Sequence, residues 1–543
     1  MTYQSSSPYG DARFARLDEV QDTGLLKPKG VEFGLVGEKP IHHSNRAGVK
    51  ITGGAGCGKT SQIAVPMILG SPAESFVLLD VKNAELSRII EAHCAQVGKP
   101  LYVIDPFGVA DFPALRVSLL SHLKPDSTSL VPDSQRFMLT LLPDSSGDNK
   151  FFDQSARRFG DAIVRGDVHL SGGTSFMALF NIVAAMRADF EAFTAWADLA
   201  TEAGTPDLRA TFMEIKETYA GSPKLFDSIM GGLSNALSFM TDSHLRDTFV
   251  DDKAADFSLE VITGNRPVIV SFVIADDKLE PLAPLVRQFF SAIRTIKQRS
   301  PQARSVNLLI DEAARLGRFG ELAEFFSIGR GYGLTPYVFY QDDGQILRNL
   351  GSTGKATLEA NAAITLDLGG GIRDFETAKA RSLALGFQTI AVDDPLIQKR
   401  AEVAAAEAWR KVMLEGGDPY EAGLQMRRYD YEAQHKTKMR KALMEPDQLL
   451  NLDEGRMLVI ARGYHLHPFI ADKRPYFTQR RFAGHYLPNP NEERDMQSVH
   501  VRTFFGKRRR KIIEEAAPER LAHLPQYSGG LPLRYVDGFK PKF

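Results

Sequence analysis

The sequence of 543 residues has little cysteine, little net charge and no long apolar run. Its two cysteines, Cys57 and Cys94, exclude a disulfide framework and favour a reducing compartment. The formal net charge of −1 gives no overall positive field, so any contact with DNA or RNA must use local patches. No run of about 18 apolar residues occurs, and the polar first residues lack the apolar core of a signal peptide. Neither a membrane span nor a secretory leader is therefore predicted.

What is present fits a soluble globular protein. Apolar residues make up 43% and charged residues 24% of the chain. The length is enough for two or three domains with sizeable cores. Composition alone does not narrow the function further, so motifs must do so.

One glycine-rich stretch, KITGGAGCGKTSQI at residues 50–63, matches G-x-x-x-x-G-K-[ST] from Gly53 to Thr60. Backbone N–H groups of such a loop cradle phosphates, with Lys59 reaching the β- and γ-phosphates and Thr60 ligating Mg²⁺. The predicted nucleotide-binding residues are Gly53, Gly54, Ala55, Gly56, Cys57, Gly58, Lys59, Thr60 and Ser61. A chance glycine turn is the alternative, and Cys57 could simply be a small residue that fits.

The flanks of this loop favour the phosphate site. AGVKIT before it resembles a short buried strand, and TSQIAVPMIL after it resembles a helix whose N-terminus attracts an anion. Pro66 lies within that helix and should kink or shorten it. The loop is therefore expected between a strand and a helix, where ATP is the expected ligand.

A phosphate loop needs carboxylates, and SVNLLIDEAARLG at 305–317 supplies two at the end of an apolar run. We expect Asp311 to hold Mg²⁺ through water and Glu312 to polarise the attacking water. A solvated acidic pair at a strand end is the alternative.

Two further candidates lie in the next segment of the chain. Gln341 follows the run LTPYVFY at 334–340, at a strand end where it could sense the γ-phosphate or merely cap the strand. Arg330 lies in a glycine-rich turn after a helix, where it could reach a neighbouring subunit's phosphate in trans or complement the helix dipole. Spacing leaves both alternatives open.

Strand-like runs alternate with helical segments, which predicts an α/β protein with a mostly parallel, covered sheet. Residues 160–250 show helical periodicity without a convincing strand, so we expect an all-α domain inserted into the nucleotide-binding domain. The predicted strands cover 75–81, 100–106, 266–274, 305–311, 334–340, 361–368 and 455–462. The predicted parts are an N-terminal segment 1–47, nucleotide-binding parts 48–159 and 251–490, a helical excursion 395–443 within the latter, and a C-terminal tail 491–543.

Two basic stretches have open roles. GKRRRK at 506–511 could touch nucleic acid or acidic lipid, although a solvated tail is favoured. In NKFFDQSARRFGDAIV, Asp153 is expected to cap a helix. Arg157 and Arg158 one turn later could face phosphate or DNA, or simply be exposed.

In order along the chain, these blocks resemble the VirD4/TraG-type coupling proteins of type IV secretion and bacterial conjugation. YGDARFARLDEVQDTGLL is similar to the family's GSARWA segment, and LLDVKNAE at 78–85 to its DxKGE block, with Asn-Ala replacing the usual glycine. The matching blocks that follow are IDPFG, FFDQSARRF, LLIDEAARLG, GRGYG, YQDDGQI, NAAITLDLGGGIRDFETAKARSLALG and ALMEPDQLLNLDEGRMLVIARG. The resemblance covers roughly residues 8–490.

The resemblance implies a RecA-like P-loop ATPase with an inserted all-α domain, assembling into a homo-hexamer with ATP between subunits. That arrangement favours Arg330 acting in trans, and Gln341 matches the family's strand-end glutamine. The implied partners are single- or double-stranded DNA, a relaxase or effector protein, and the secretion channel. The family's N-terminal membrane helices have no counterpart here, which leaves a naturally soluble member or a chain that has been cut. A soluble member is expected in the cytoplasm and would reach the inner membrane through a partner or act elsewhere.

Two other functions are compatible with the same residues. One is a cytosolic DNA-pumping ATPase of the FtsK/HerA kind without a secretion partner. The other is a nucleotide-gated receptor with little turnover, which recruits a relaxase or effector through residues 160–250.

Overall fold

The computed structural model describes residues 7–144, 150–392, 395–434, 437–491, 497–527 and 530–542. Its strands are β1 (Val31–Val36), β2 (Lys39–His43), β3 (Val49–Thr52), β4 (Ser75–Asp80), β5 (Leu101–Ile104), β6 (Ile269–Val273), β7 (Val306–Ile310), β8 (Leu334–Tyr340), β9 (Ile364–Leu368), β10 (Phe387–Val392), β11 (Thr437–Ala442), β12 (Arg456–Ile460), β13 (Phe469–Asp472), β14 (Ser498–Thr503), β15 (Gly506–Glu515) and β16 (Leu533–Val536).

The helices lie on both faces of the sheet or in the long insertion between β5 and β6. They are α1 (Leu17–Asp22), α2 (Val65–Leu69), α3 (Glu85–Val97), α4 (Leu130–Leu141), α5 (Lys150–Ser171), α6 (Phe176–Ala188), α7 (Phe190–Ala203), α8 (Pro206–Gly221), α9 (Pro223–Leu237), α10 (Ser243–Thr248), α11 (Asp276–Leu279), α12 (Ala283–Arg299), α13 (Gly320–Ile328), α14 (Asp343–Asn361), α15 (Phe375–Leu385), α16 (Pro395–Leu414), α17 (Pro419–Gln434) and α18 (Pro446–Leu450).

The large sheet has the order β2-β1-β13-β12-β9-β3-β8-β7-β4-β6-β5. The run from β9 to β5 is parallel, and β12, β13, β1 and β2 add antiparallel pairs at one side. The predicted α/β class with a mostly parallel sheet is thus confirmed. Sequence patterns missed β1, β2 and β13, since these antiparallel strands are only four to six residues long and each includes a charged residue.

Alternate residues of the central strands supply two cores, because side chains on a strand point to opposite faces. Val77 and Leu79 of β4 belong to a core that continues into the inserted helices, where Phe193 is buried. Phe76 and Leu78 face the other core, which includes the helix after the glycine-rich loop. The parallel strands are therefore covered on both faces, as their apolar runs predict.

The inserted unit is helical from α5 to α10, but α5 begins at Lys150 rather than near the predicted boundary at 160. Asp153 is consequently inside the first turn, and its predicted role as the N-cap is wrong. An acidic residue there still suits the helix dipole. Asn149 lies outside the described residues.

The expected C-terminal tail instead contains a three-stranded antiparallel sheet, β14-β15-β16. Val499, Val501 and Val536 bury one side of it against the second core, so the segment is not a solvated tail. The basic run 506–511 forms the first part of β15. Between β10 and β11, which pair with each other, α16 and α17 pack together.

Within the described part of the chain, no single helix is both long and apolar enough to cross a membrane. Helices α5 and α6 meet that requirement only as a pair, and the pair is bent by 117°.

Candidate nucleotide-binding site

The glycine-rich loop connects β3 to a helix at the carboxyl edge of the parallel strands, where ligands bind in open α/β sheets. That helix begins at Lys59 as a π-type turn and continues as α2 to Leu69. Gly58 has φ 83°, and a Cβ there would lie 2.5 Å from the Gln62 side chain. A glycine is needed at this point because other residues rarely adopt that backbone.

Glu312 is the centre of the site. Lys59 Nζ lies 3.4 Å from its Oε1, and Gln341 Nε2 donates to its Oε2 at 3.2 Å. The three residues follow or lie near the carboxyl ends of β7, β3 and β8, which are close in the sheet order. The structure thus brings together three side chains that are far apart in the sequence.

The backbone of Glu312 is left-handed, with φ 53°, which is costly for a residue that bears a Cβ. Such conformations persist where surrounding structure imposes them, and they cluster at functional sites. Here the turn after β7 aims the carboxylate at Lys59.

Asp311 is buried, with 7% of its surface exposed. Burial raises its pKa, the adjacent Glu312 raises it further, and Lys82 and Lys59 only partly offset this. Its Oδ1 accepts a hydrogen bond from the Glu312 backbone N–H at 3.1 Å. A cation placed beside Asp311 would therefore relieve an electrostatic cost.

Lys82 is a site residue that was not singled out from the sequence. Its Nζ donates to Thr60 Oγ1 at 3.2 Å and lies 3.8 Å from Glu85. The segment that contains Lys82 is held by Asn491, whose side-chain amide donates to the Lys82 carbonyl at 2.8 Å. The sequence did contain a signal for Lys82, because this residue lies in the LLDVKNAE block that resembles a block of the family.

Two more cations brace the loop without having been predicted. Arg373 Nη2 donates to the Ala55 carbonyl at 3.0 Å. Lys473 Nζ donates to the Cys57 carbonyl at 2.7 Å, and burial lowers the pKa of Lys473. Arg373 follows a run of glycines in a block that carried the resemblance, whereas Lys473 follows the missed strand β13 and had no sequence signal.

The remaining loop positions differ in their exposure to solvent. Cys57 is buried, and burial raises the pKa of its thiol, so it is held as a neutral small side chain. A Cβ on Gly53 would lie 2.6 Å from the Cys57 sulfur. Ala55 and Gly56 are exposed at the outer bend of the loop, while Thr60 is buried and Ser61 partly buried.

Arg330 lies at the opposite end of β8 from Gln341. It is exposed in the 3-10 turn Gly329–Tyr332. Burial lowers the pKa of His43 to about 4, and nearby Arg330 contributes to the lowering. Since β8 has seven residues, its two ends are separated by about 20 Å, so Arg330 does not reach the loop of its own chain.

An open cavity of about 760 Å³ lies beside Glu312. Lys82, Glu312 and Gln341 line it, together with Asp276 and Arg315. This volume lies within the range of small-molecule sites.

Arg157 and Arg158 do not contribute to this site. Arg157 pairs with Asp144, and Arg158 pairs with Glu214 on α8. Both guanidinium groups are thus engaged by carboxylates of the chain, which favours packing over phosphate or DNA contact.

Residues 13–403 match the family model described as type IV secretory system conjugative DNA transfer. No curated protein sequence matches the chain.

Solved structures of a coupling protein share the fold. The bacterial conjugative coupling protein TrwBdeltaN70, in an unbound monoclinic form, has a TM-score of 0.60 at 17% identity, covering 87% of this chain and 96% of that one. The plasmid coupling protein TrwB with ADP and Mg²⁺ has a TM-score of 0.59 at 17% identity and the same coverage. TrwB with a non-hydrolysable ATP analogue has 0.58 at 18%, again with that coverage.

The family match extends over more than half of the chain and includes the glycine-rich loop, Asp311, Glu312, Arg330 and Gln341. The structural likeness independently supports the RecA-like fold with its inserted helical unit. The chain belongs to the type IV secretory system conjugative DNA transfer family.

Proposed function

We propose that this protein is an ATP hydrolase that recruits DNA or effector protein and delivers it to a type IV secretion channel. The observation that carries the proposal is the Glu312 carboxylate held between Lys59 and Gln341 beside the glycine-rich loop. A general base, a phosphate-binding cation and a γ-phosphate sensor are the parts that phosphoryl transfer requires. The ADP and Mg²⁺ complex of TrwB supports the same ligands here.

The loop from Gly53 to Ser61 would bind the phosphates through its backbone N–H groups. Lys59 would bind the β- and γ-phosphates and exchange its contact with Glu312 for them. Glu312 would then be free to accept a proton from the attacking water. Gln341, which already contacts Glu312, would couple the presence of the γ-phosphate to the position of that base.

The oxygen donors of this site fit Mg²⁺, which would neutralise phosphate charge. The Thr60 hydroxyl would bind the ion directly, and Asp311 would hold it through water. Within the described residues no three His, Cys, Asp or Glu side chains form a metal cluster. Mg²⁺ that binds with a nucleotide keeps waters and phosphate oxygens as ligands. Lys82 must leave the Thr60 hydroxyl for the ion to bind.

Arg330 would act in trans, since it cannot reach its own loop. A ring, with six subunits as the resemblance implies, would place each Arg330 at a neighbour's nucleotide. The inserted helices would contact the relaxase or effector, and exposed apolar side chains such as Leu199 and Met213 offer such a surface. The protein would meet the inner membrane through its partners.

The test is ATP hydrolysis measured across protein concentration, alone and with single- or double-stranded DNA. Wild type is compared with Lys59→Ala, Arg330→Ala and the control Lys29→Ala, which alters an exposed lysine. We expect both site variants to lose about a thousandfold in turnover and the control to be unaffected. Mixing the two inactive variants should restore part of the activity, because some interfaces then combine an intact loop with an intact arginine.

Failure of the mixture to recover, with each variant inactive alone, would contradict the trans role of Arg330. Nucleotide binding with negligible turnover under all these conditions would contradict the hydrolase and favour the nucleotide-gated receptor. The receptor also predicts that removing the inserted helices abolishes recruitment while ATP binding survives. Activity with DNA but no secretion partner in the cell would favour an FtsK/HerA-like pump.

A further inference from the structure

The β14–β15 hairpin gathers positive charge on one face. Residues directly opposite in an antiparallel pair share a face. His500 faces Arg509, Arg502 faces Lys507, and Ser498 faces Lys511. The other face carries Val499 and Val501, which are buried against the main body of the protein, with Arg510 and Arg508 opposite them. Arg502, Lys507 and Arg509 are exposed, so their face, the cationic face, is the outward one.

Much of this charge lacks carboxylate partners. Among the described residues, the ion pairs of the C-terminal sheet join Arg510 with Asp537, Arg534 with Glu514 and Lys540 with Glu515. None of them includes Arg502, Lys507 or Lys511. These three head groups are therefore available to an anionic ligand.

The cationic face forms one wall of a cavity of about 770 Å³. Residues of the segment 476–489 form the opposite wall, and among them Phe477 is 38% exposed. At the tip of the hairpin, Phe504 and Phe505 are 84% and 83% exposed. Two adjacent phenyl rings in water forgo the burial that usually stabilises such side chains by roughly 1.5–3 kcal/mol each. The cavity and the tip together are named the hairpin groove.

We propose that the hairpin groove binds single-stranded nucleic acid. Arg502 and Lys507, which line the cavity, contact the phosphates, and the exposed phenyl rings of Phe504 and Phe505 stack on bases. Non-specific single-strand sites combine these two elements, a basic groove and aromatic platforms. The groove lies beyond residue 403, where the family match ends, and is separate from the nucleotide-binding site.

The geometry favours a single strand over two other anionic partners. A duplex hides its base faces within the stack, so it offers nothing to Phe504 and Phe505 except at its ends. An anionic membrane would meet the tip, but the cations line a concave wall that a flat surface does not enter. A flexible single strand can place its phosphates against the cations of the wall and its bases against the phenyl rings of the tip.

The chain segment that forms the other wall of the groove also contacts residues next to the candidate nucleotide-binding site. Asn489 lines the groove and donates to Glu85 Oε1 at 2.8 Å, and Asn491 donates to the Lys82 carbonyl. A strand held in the groove is therefore close to the loop that positions Lys82 on Thr60.

The test is fluorescence anisotropy of a labelled 20-residue oligothymidylate with the full chain, in the absence of nucleotide and across salt concentration. We expect Phe504→Ala/Phe505→Ala to weaken binding by about tenfold or more. Arg502→Gln/Lys507→Gln should reduce the slope of log K against log salt by about 1.4, since each lost phosphate contact removes about 0.7. Because no ATP is present, failure here is separate from failure of the proposed hydrolase.

Matched controls are Lys27→Gln/Lys29→Gln, which removes two exposed charges elsewhere, and Tyr420→Ala, which removes an exposed ring on α17. Both should bind as wild type does, and all variants should keep the wild-type Tm. Equal loss in the controls, or oligothymidylate binding unchanged in the groove variants, would overturn the proposal. The proposal would also be overturned if a 20-base-pair duplex bound with the same affinity as the oligothymidylate and lost as much affinity in the groove variants. Flotation with phosphatidylglycerol vesicles that depends on the phenyl rings, while oligothymidylate binding does not, would assign the tip to a membrane instead.

Discussion

Two aspartates at the same edge of the sheet differ in the pKa of their carboxyl groups although the same fraction of each residue is exposed to solvent. Asp311 follows β7 and Asp343 follows β8, and each is 7% exposed. The pKa of Asp311 is raised, whereas that of Asp343 is lowered to about 2. Burial raises the pKa of both carboxyl groups, and the neighbouring charges then differ between the two sites.

Asp343 lies within a cluster of cations. Arg381 Nη2 is 2.8 Å from its Oδ1, while Lys50 and Lys355 are each 3.4 Å from the carboxylate. Together they outweigh the effect of burial. Asp311 has Lys82 and Lys59 nearby, but Glu312 adds negative charge beside it. The difference indicates that Asp343 is part of a complete ion cluster, and it supports our proposal that Asp311 holds a cation that arrives with the nucleotide.

The largest expected effect is the loss of turnover in Asp311→Asn. Without the carboxylate, Mg²⁺ is poorly held, and we expect ATP hydrolysis to fall about a thousandfold, or about 4 kcal/mol in the barrier. The free energy of unfolding should rise, because a buried charge with a raised pKa is removed. Steady-state kinetics and urea unfolding measure the two. A lower free energy of unfolding in Asp311→Asn than in wild type would contradict the raised pKa of Asp311.

Breaking the other cluster should have the opposite result. Arg381→Met leaves Asp343 and the fully buried Asp367 without their shared partner, so we expect unfolding to become easier by about 3 kcal/mol. Lys379→Met, an exposed change on the same helix, is the control and should have little effect. Urea unfolding measures the free energy of unfolding of both variants. Equal values for Arg381→Met and Lys379→Met would show that the ion cluster does not stabilise the fold.

The third prediction concerns pH. Because the pKa of Asp343 in the folded protein is about 2, below its unfolded value near 3.8, its stabilisation is complete above pH 5 and is lost as pH falls toward 2. The stability difference between wild type and Asp343→Asn should be about 2 kcal/mol larger at pH 6 than at pH 2. Denaturant titrations across this range measure it. A difference that does not change with pH would refute the assignment.

The smallest effect is expected at Gln341, which orients Glu312 but carries no charge. Gln341→Ala should lower turnover about tenfold, close to 1.4 kcal/mol, while the affinity for ADP is kept. Gln341→Glu, which places a second carboxylate beside Glu312, should be slower than the alanine variant. Single-turnover hydrolysis measures the loss of turnover, and ADP titration measures the affinity for ADP. Wild-type turnover in Gln341→Ala would remove this residue from the mechanism.

Much of the site could be predicted because phosphate chemistry imposes a local pattern. Glycines, a lysine and a threonine at fixed spacing identify the loop from Gly53 to Thr60, and an apolar run ending in two acids identifies Asp311 and Glu312. Lys82 and Arg373 lie in blocks that carried the resemblance but were not assigned. Lys473 could not be found, because it follows an antiparallel strand of only four residues, Phe469–Asp472, which is too short for its pattern to predict a strand.

By itself the sequence determined the parallel strands, the helical insertion and the phosphate loop, since each depends on residues close together in the chain. Only the tertiary structure decided which charges meet. The lowered pKa of Asp343 depends on Lys50 from β3 and Arg381 from α15, and the groove of the β14–β15 hairpin depends on a strand pairing that turned an expected tail into a sheet. Electrostatic interactions act through space, so their partners are fixed by folding and not by order along the chain.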